Sequence, residues 1–426
     1  MHRHIVMTLA LVFAVPLAGA QSKGPQQVVK PPVAQAWIDV ATFAGMGMPA
    51  GGGAPGMGSM MGGLFGGGGQ GARNSFGNTQ AMSPGRWVDV TLATSRNPTL
   101  AEGVQLVPAG TGLAPQLNLL APPQAKPAPA DDDRVLERDY ERPKGKLYLY
   151  WGCGDTVRAG QPRVLDMATA NPAAYAQFFV ARRATQRGAH SAAGRPLWPN
   201  ERDARMVPAS ASMVGEHTFT GQGVPEGFKI AIPAVQDIMP PIELKQAVAG
   251  GVTTLEWRPV PHARAYFIAA MGAKSMDSAN PEMVFWTSSE VPETGMGLID
   301  YQTNPAVDRW LKEKVLLEPG VTRCAVPKGI FPEGGGAMLR MIAYGSELNL
   351  AYPPRPADPK QAWEPQWAAK VRVKSVANAL LGMDMPAMMG APDEARTPAQ
   401  REAQQQPKSE PNLPDAVNIL RGILGR

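Results

Sequence analysis

Two stretches near the start of the chain repeat one pattern of hydrophobic and polar positions. Residues 36–42 (AWIDVAT) and 86–94 (RWVDVTLAT) each read Trp-apolar-Asp-Val, so Trp37 and Asp39 fall on one face of an extended strand and Ile38 and Val40 on the other. Their β-branched residues favour strand. The repetition predicts neighbours in one sheet, with residues 43–85 as a long excursion from the edge of a sandwich. Alternation returns in residues 145–151 (GKLYLYW), 212–220, 228–232, 240–244, 253–257, 265–270, 283–286, 338–344 and 347–350, each a predicted strand. Residues 369–375 (AKVRVKS) alternate apolar with basic, which predicts a last edge strand whose lysines discourage edge pairing.

Helical spacing is rarer. Residues 171–185 carry Asn171 as an N-cap, Pro172 at the first helical position, Tyr175, Phe178, Phe179 and Arg182 along one side, and Gly188 to close the helix. Residues 305–317 place Val307, Trp310, Leu311 and Lys314 at helical spacing, a crossover against the sheet's edge. The chain ends in a short amphipathic helix, residues 415–426, capped by Asp415 with Val417, Leu420 and Leu424 on one face.

These elements predict a mainly β fold: two antiparallel β-sandwich-like domains with a few helices and long disordered segments. Within residues 253–270, Leu255-x-Trp257, then Val260-Pro-His-Ala263, then Ala265-Tyr266-x-Ile268 resembles the B and C strands of fibronectin type III-like sandwiches. The resemblance implies a core-filling Trp257 with Tyr266 packed beside it, and it implies no function, since that fold hosts many. The stretches WGCGD (151–155) and LWPNERDAR (197–205) are similar to uncharacterised exported proteins of proteobacteria, from which no activity transfers.

The predicted organisation is a signal peptide (1–20), an N-terminal β domain (21–165) with a Gly/Met-rich insertion (43–85), a helix and linker (166–210), and a fibronectin-like sandwich (211–352). A Pro-rich linker with the edge strand (353–382), a disordered stretch (383–414) and the final helix (415–426) follow. The first assignment rests on Arg3, an apolar run and a small-x-small site at residues 18–20, too short to span a bilayer. Export to the periplasm or beyond is therefore expected, with no transmembrane span.

Composition changes this picture in three places. The 46 Gly and 43 Pro exceed the usual share and argue for many turns and loops. The formal charge of +5 has no dense Lys/Arg block, so nucleic acid is not an expected partner. Only Cys153 and Cys324 are present. In an oxidising compartment they form either one disulfide, worth about 4–5 kcal/mol in the chain-entropy account, or two separate buried thiols.

Candidate chemistry is sparse. Beyond residue 20 the histidines are His190, His217 and His262, far apart, and no zinc, phosphate-loop or nucleophile-elbow motif occurs. Asp155, Glu201 and Asp203 are the acidic residues that could serve a carboxylate-dependent hydrolase. Residues 45–69 (GMGMPAGGGAPGMGSMMGGLFGGGG) admit three readings: a thioether metal site, a membrane-associating element or an unstructured insertion. Met46, Met48, Met57, Met60 and Met61, with Met383, Met385, Met388 and Met389 in the tail, repeat the spacings that thioethers use for Cu(I), so copper is the one cofactor suggested. The leading expectation is an exported, non-catalytic binding or scaffolding protein with a protein or glycan partner at the cell envelope. An envelope hydrolase and a Met-rich copper protein are the alternatives.

Overall fold

The repeated Trp-x-Asp-Val segments become β1 (Ala34–Gly45) and β2 (Gly85–Thr94), antiparallel neighbours in register from Ala34 opposite Thr94 to Phe43 opposite Gly85. Asp39 thus faces Asp89 across the pair. The computed structural model describes residues 27–45, 74–81, 83–123, 144–180, 182, 188–275, 280–332 and 337–381. Among these residues the chain is mainly β.

After β2 come β3 (Glu102–Leu106), β4 (Gln116–Leu120), β5 (Lys146–Trp151), β6 (Arg163–Asp166), helix α1 (Pro172–Phe178), β7 (Leu197–Trp198), β8 (Gly215–Gly221) and β9 (Lys229–Ile232). Then follow β10 (Leu244–Ala249), β11 (Val252–Trp257), β12 (Ala265–Ser275), β13 (Glu282–Thr287), helix α2 (Asn304–Lys312) and β14 (Arg323–Val326). The last strands are β15 (Ala337–Tyr344), β16 (Leu348–Tyr352) and β17 (Trp367–Leu380).

One large sheet runs β6-β5-β13-β12-β15-β17-β1-β2-β7-β4-β3-β8-β9, and β16 pairs with β17 beside β15. The sequence reading of residues 369–375 as an edge strand is corrected: β17 is a central strand, parallel to β1 on one side and antiparallel to β15 and β16 on the other. Its basic residues misled because the face that carries them is covered rather than solvated; Lys374 is 1% exposed. The sheet also continues across the predicted domain boundary, since β5 from the first half pairs with β13 from the second.

A three-stranded sheet, β10-β11-β14, supplies a second layer, and Leu255, Trp257 and Val326 from it share one apolar cluster with Ile38, Val40, Val371 and Val373 of the large sheet. The opposite face of the large sheet is covered by α2, whose Val307 and Trp310 pack with Phe43, Trp87 and Ile342. That helix therefore lies on a face, where its apolar side finds more surface than an edge would offer. Asn171 caps α1 through Ala174 N, but α1 ends at Phe178 and Gly188 has a different task, described below. Cys153, just beyond β5, is joined to Cys324 of β14 with Cα atoms 5.1 Å apart, tying the two sheets together. No helix among the described residues is long and apolar enough to cross a membrane.

Candidate functional site

A cleft of about 720 Å³ opens where the LWPNERDAR segment passes β3 and β4. Its rim includes Pro199, Asn200, Glu201 and Arg202; its wall is lined by Asn74, Ser75 and Phe76, and by Ser191 and the prolines Pro122 and Pro123. The rim is rigid for a local reason. Asn200 donates to the carbonyls of Asn118 (2.8 Å) and Leu197 (2.9 Å) and accepts from the backbone N–H groups of Arg202 and Asp203 (3.1 Å each). Arg205 then binds Asp203 (2.6 Å) and the carbonyls of Leu113 (2.9 Å) and Gln116 (2.8 Å), fastening the segment to the start of β4. Burial works to raise the Asp203 carboxyl, but Arg205 outweighs it and holds the group below the usual carboxylate range.

The cleft is lined by two carboxylates, Glu102 and Glu201, together with Arg202 and the hydroxyls of Ser75 and Ser191. Glu201 engages no partner among the described residues, and Glu102 reaches Arg202 only at 3.4 Å, with its side chain 68% exposed. Asn74 is 2% exposed; its amide nitrogen donates to Arg205 O (2.7 Å) while its Oδ1 has no donor. Phe76, half-buried, adds an apolar surface among them.

Both inner wall segments continue from the cleft to a buried layer of charge on the central strands. Gly77 N donates to Asp89 Oδ1 (3.0 Å), and Thr79 N (3.4 Å) and the Thr79 hydroxyl donate to Oδ2. Ala189 N donates to Asp39 Oδ2 (3.0 Å), and Arg372 donates to both oxygens of the same carboxylate, Nε to Oδ1 (2.6 Å) and Nη2 to Oδ2 (2.5 Å). Gly188 lies so close that a Cβ there would come within 1.6 Å of Arg372 Nη2, so only glycine fits between wall and ion pair. Beside them Trp37 carries the Arg195 guanidinium 4.7 Å over its ring, with His190 at 6.2 Å.

The layer extends along β17 and β15. Lys374 binds Asp300 (2.7 Å), whose side chain is 46% exposed and links the layer to the surface. The Tyr301 ring lies against two cations, 4.3 Å from Arg372 and 4.1 Å from Lys374. Burial opposes the charge on Arg372, but Asp39 more than restores it and pushes the group up. Burial lowers Lys374, and it lowers Arg340 to about 10. At Asp89 burial dominates the bonds from Thr79 and Gly77 and raises the carboxyl to about 7.

Of the residues singled out by sequence, Glu201 lines the cleft; Asp203, in the same segment, does not and is held by Arg205, and Asp155 is exposed near the disulfide and lines no part of it. His217 is buried between Gln105 (3.0 Å) and Met213 O (2.8 Å). No group of three or more His, Cys, Asp or Glu able to hold a metal occurs among the described residues. The nine methionines proposed for copper (Met46, Met48, Met57, Met60, Met61, Met383, Met385, Met388 and Met389) and the whole 45–69 question beyond Gly45 lie outside the described residues. Sequence reading missed Asn74, Ser75, Glu102 and the acid–base layer. The available signal was the matched acid in both Trp-x-Asp-Val segments, together with the strictly alternating Arg372 and Lys374. In comparisons with known proteins, no family model and no curated protein matches the chain.

Proposed function

We propose that the chain is an exported, non-catalytic binding protein of the cell envelope whose cleft receives a hydroxyl-rich ligand, a glycan. The carrying observation is a cleft in the size range of small-ligand sites with unengaged acceptors, Glu201 foremost, set beside the Phe76 ring and prolines. Sugar hydroxyls can donate to Glu201 and Glu102 and accept from Arg202 and the serines, and sugar C–H faces suit the apolar patch. Support for export comes from the sequence of residues 1–20 and from a disulfide of the kind oxidising compartments sustain. The Trp257 ring stands edge-on to Tyr266 at 5.6 Å across the two sheets, which supports the fibronectin-like reading of that pair.

A hydrolase reading draws on Glu102 and Glu201 sharing one cleft. It is the weaker reading because a general acid working near neutrality needs a desolvated carboxyl, and Glu102 is open to water. Calorimetric titration of the purified protein with peptidoglycan fragments and neutral oligosaccharides tests the proposal. Binding to at least one, weakened about tenfold or more by Glu201→Ala, is expected. Absence of binding to every saccharide, or binding indifferent to Glu201→Ala, overturns it, and release of reducing ends that Glu201→Gln abolishes would install the hydrolase instead.

A further inference from the structure

The two inner wall segments of the cleft hang from one pair of carboxylates that face each other across β1 and β2. Asp39 is matched by Arg372, but Asp89 has no cation of its own among the described residues: it accepts from neutral donors on residues 77–79, directly after the lining residues 74–76. We propose that Asp89 is a proton-operated latch on the cleft wall, holding residues 74–79 in place as a carboxylate and letting them loosen when it takes up a proton. The proposal rests on the reading of the cleft as a binding site, whose affinity the latch would regulate.

The chemistry is a single proton transfer from solvent hydronium to a carboxylate oxygen, releasing water. When Oδ2 takes the proton, that oxygen becomes a donor; the Thr79 hydroxyl can turn to accept from it, while the Thr79 N–H, already long at 3.4 Å, is left with a neutral and weaker acceptor. Gly77 N–H keeps Oδ1, now a neutral and weaker acceptor. Burial places this titration near pH 7, where modest acidification changes the population. The titratable groups acting on Asp89 among the described residues are Asp39 on β1 and Tyr301; one step farther, Arg372 holds Asp39, Lys374 holds Asp300, and Arg195 and His190 lie against Trp37. Asp39 keeps its guanidinium throughout, so the wall at Ala189 is held while the wall at Gly77 responds.

Hydrogen–deuterium exchange of the full chain, corrected for the intrinsic pH dependence of exchange, reads the latch without any ligand. Between about pH 8 and about pH 6, protection of residues 74–80 should fall by about threefold or more, while segments of β1 and β17 change little. Asp89→Asn should abolish that pH response. Thr79→Ala, which leaves the acid in place and removes one of its donors, should shrink it and decides the matter if the first variant fails to fold. A pH-independent wall in the unmodified protein, a response that survives Asp89→Asn and so belongs to His190 or another group, or a response untouched by Thr79→Ala overturns the latch. Failure of every saccharide to bind would sink the ligand reading alone, because no ligand enters the exchange measurement.

Discussion

The two faces of the central strands are built from alternate residues of the same few segments, and they have opposite chemistry. On one face Ile38, Val40, Val88, Val90, Val371 and Val373 pack into a dry core shared with the small sheet. On the other Asp39, Asp89, Arg372 and Lys374 occupy the positions between them, equally shielded from water. The dry face gains from apolar area removed from water. The charged face gains little net stability, since burying ions costs several kcal/mol apiece and their mutual attraction only roughly repays it. What the charged face supplies is register. Asp39 and Arg372 are 333 residues apart and stand opposite each other across the parallel β1–β17 pair, so a one-residue slip of either strand would carry its charge into the valine core and leave the other buried without its partner.

The largest effect should come from breaking that pair on one side. Arg372→Ala leaves Asp39 buried with, among the described residues, only the Ala189 N–H to offset its charge, and a loss of about 3–5 kcal/mol in denaturant unfolding is expected. The double variant Asp39→Asn, Arg372→Met should recover most of it, because it removes both charges while keeping volume. A single-variant loss below about 1 kcal/mol would mean that water reaches the pair and that the two faces differ less than their geometry indicates.

How much of this was legible follows from where the partners lie. The β1–β2 pairing was readable because both strands carry the same signature close together in the chain, and the opposition of Trp37 with Asp39 to Ile38 with Val40 follows from the two-residue period alone. The alternation of β17 was readable too, but its environment was not. A strand with basic residues on one side is equally an edge in water or a central strand whose charges meet counter-ions, and the deciding residues, Asp39, Asp300 and Tyr301, are remote in sequence. The LWPNERDAR segment stood out as charged and loop-like. Its role as a cleft rim depends on Asn200 and Arg205 reaching back to β4 and the residues before it, which no local pattern announces.

Acidity should separate the faces next, since the valines and isoleucine that the central strands turn to the dry face carry no ionisable group. The Asp89 carboxyl is raised from 3.8 to about 7 by burial, so the folded state holds a proton that the unfolded chain releases. The stabilisation this brings is complete below the unfolded value near pH 4 and is lost as pH rises through about 7, a decline of up to about 4 kcal/mol. Asp89→Asn should flatten that profile. Wall protection and global stability should therefore move in opposite directions with pH: the ionised carboxylate grips Gly77 and Thr79 more firmly while its desolvation weakens the fold as a whole. Parallel changes in the two would contradict the local bonding described for Asp89.

The finest comparison uses two buried tyrosines, one for each face. Tyr266, in the dry core, accepts the Val260 N–H at 2.8 Å through its hydroxyl. Tyr266→Phe strands that donor, and a loss of about 1–3 kcal/mol is expected. Tyr301, over the charged face, has a buried hydroxyl with no partner, and its contribution is the ring that Arg372 and Lys374 approach. Tyr301→Phe keeps the ring and discards an unsatisfied group, so stability should hold or rise by up to about 1 kcal/mol. Equal losses in the two variants would show that the Tyr301 hydroxyl is engaged after all, by water drawn in with the charges, and the covered face would then be a wet layer whose ions owe their tolerance to solvent rather than to each other.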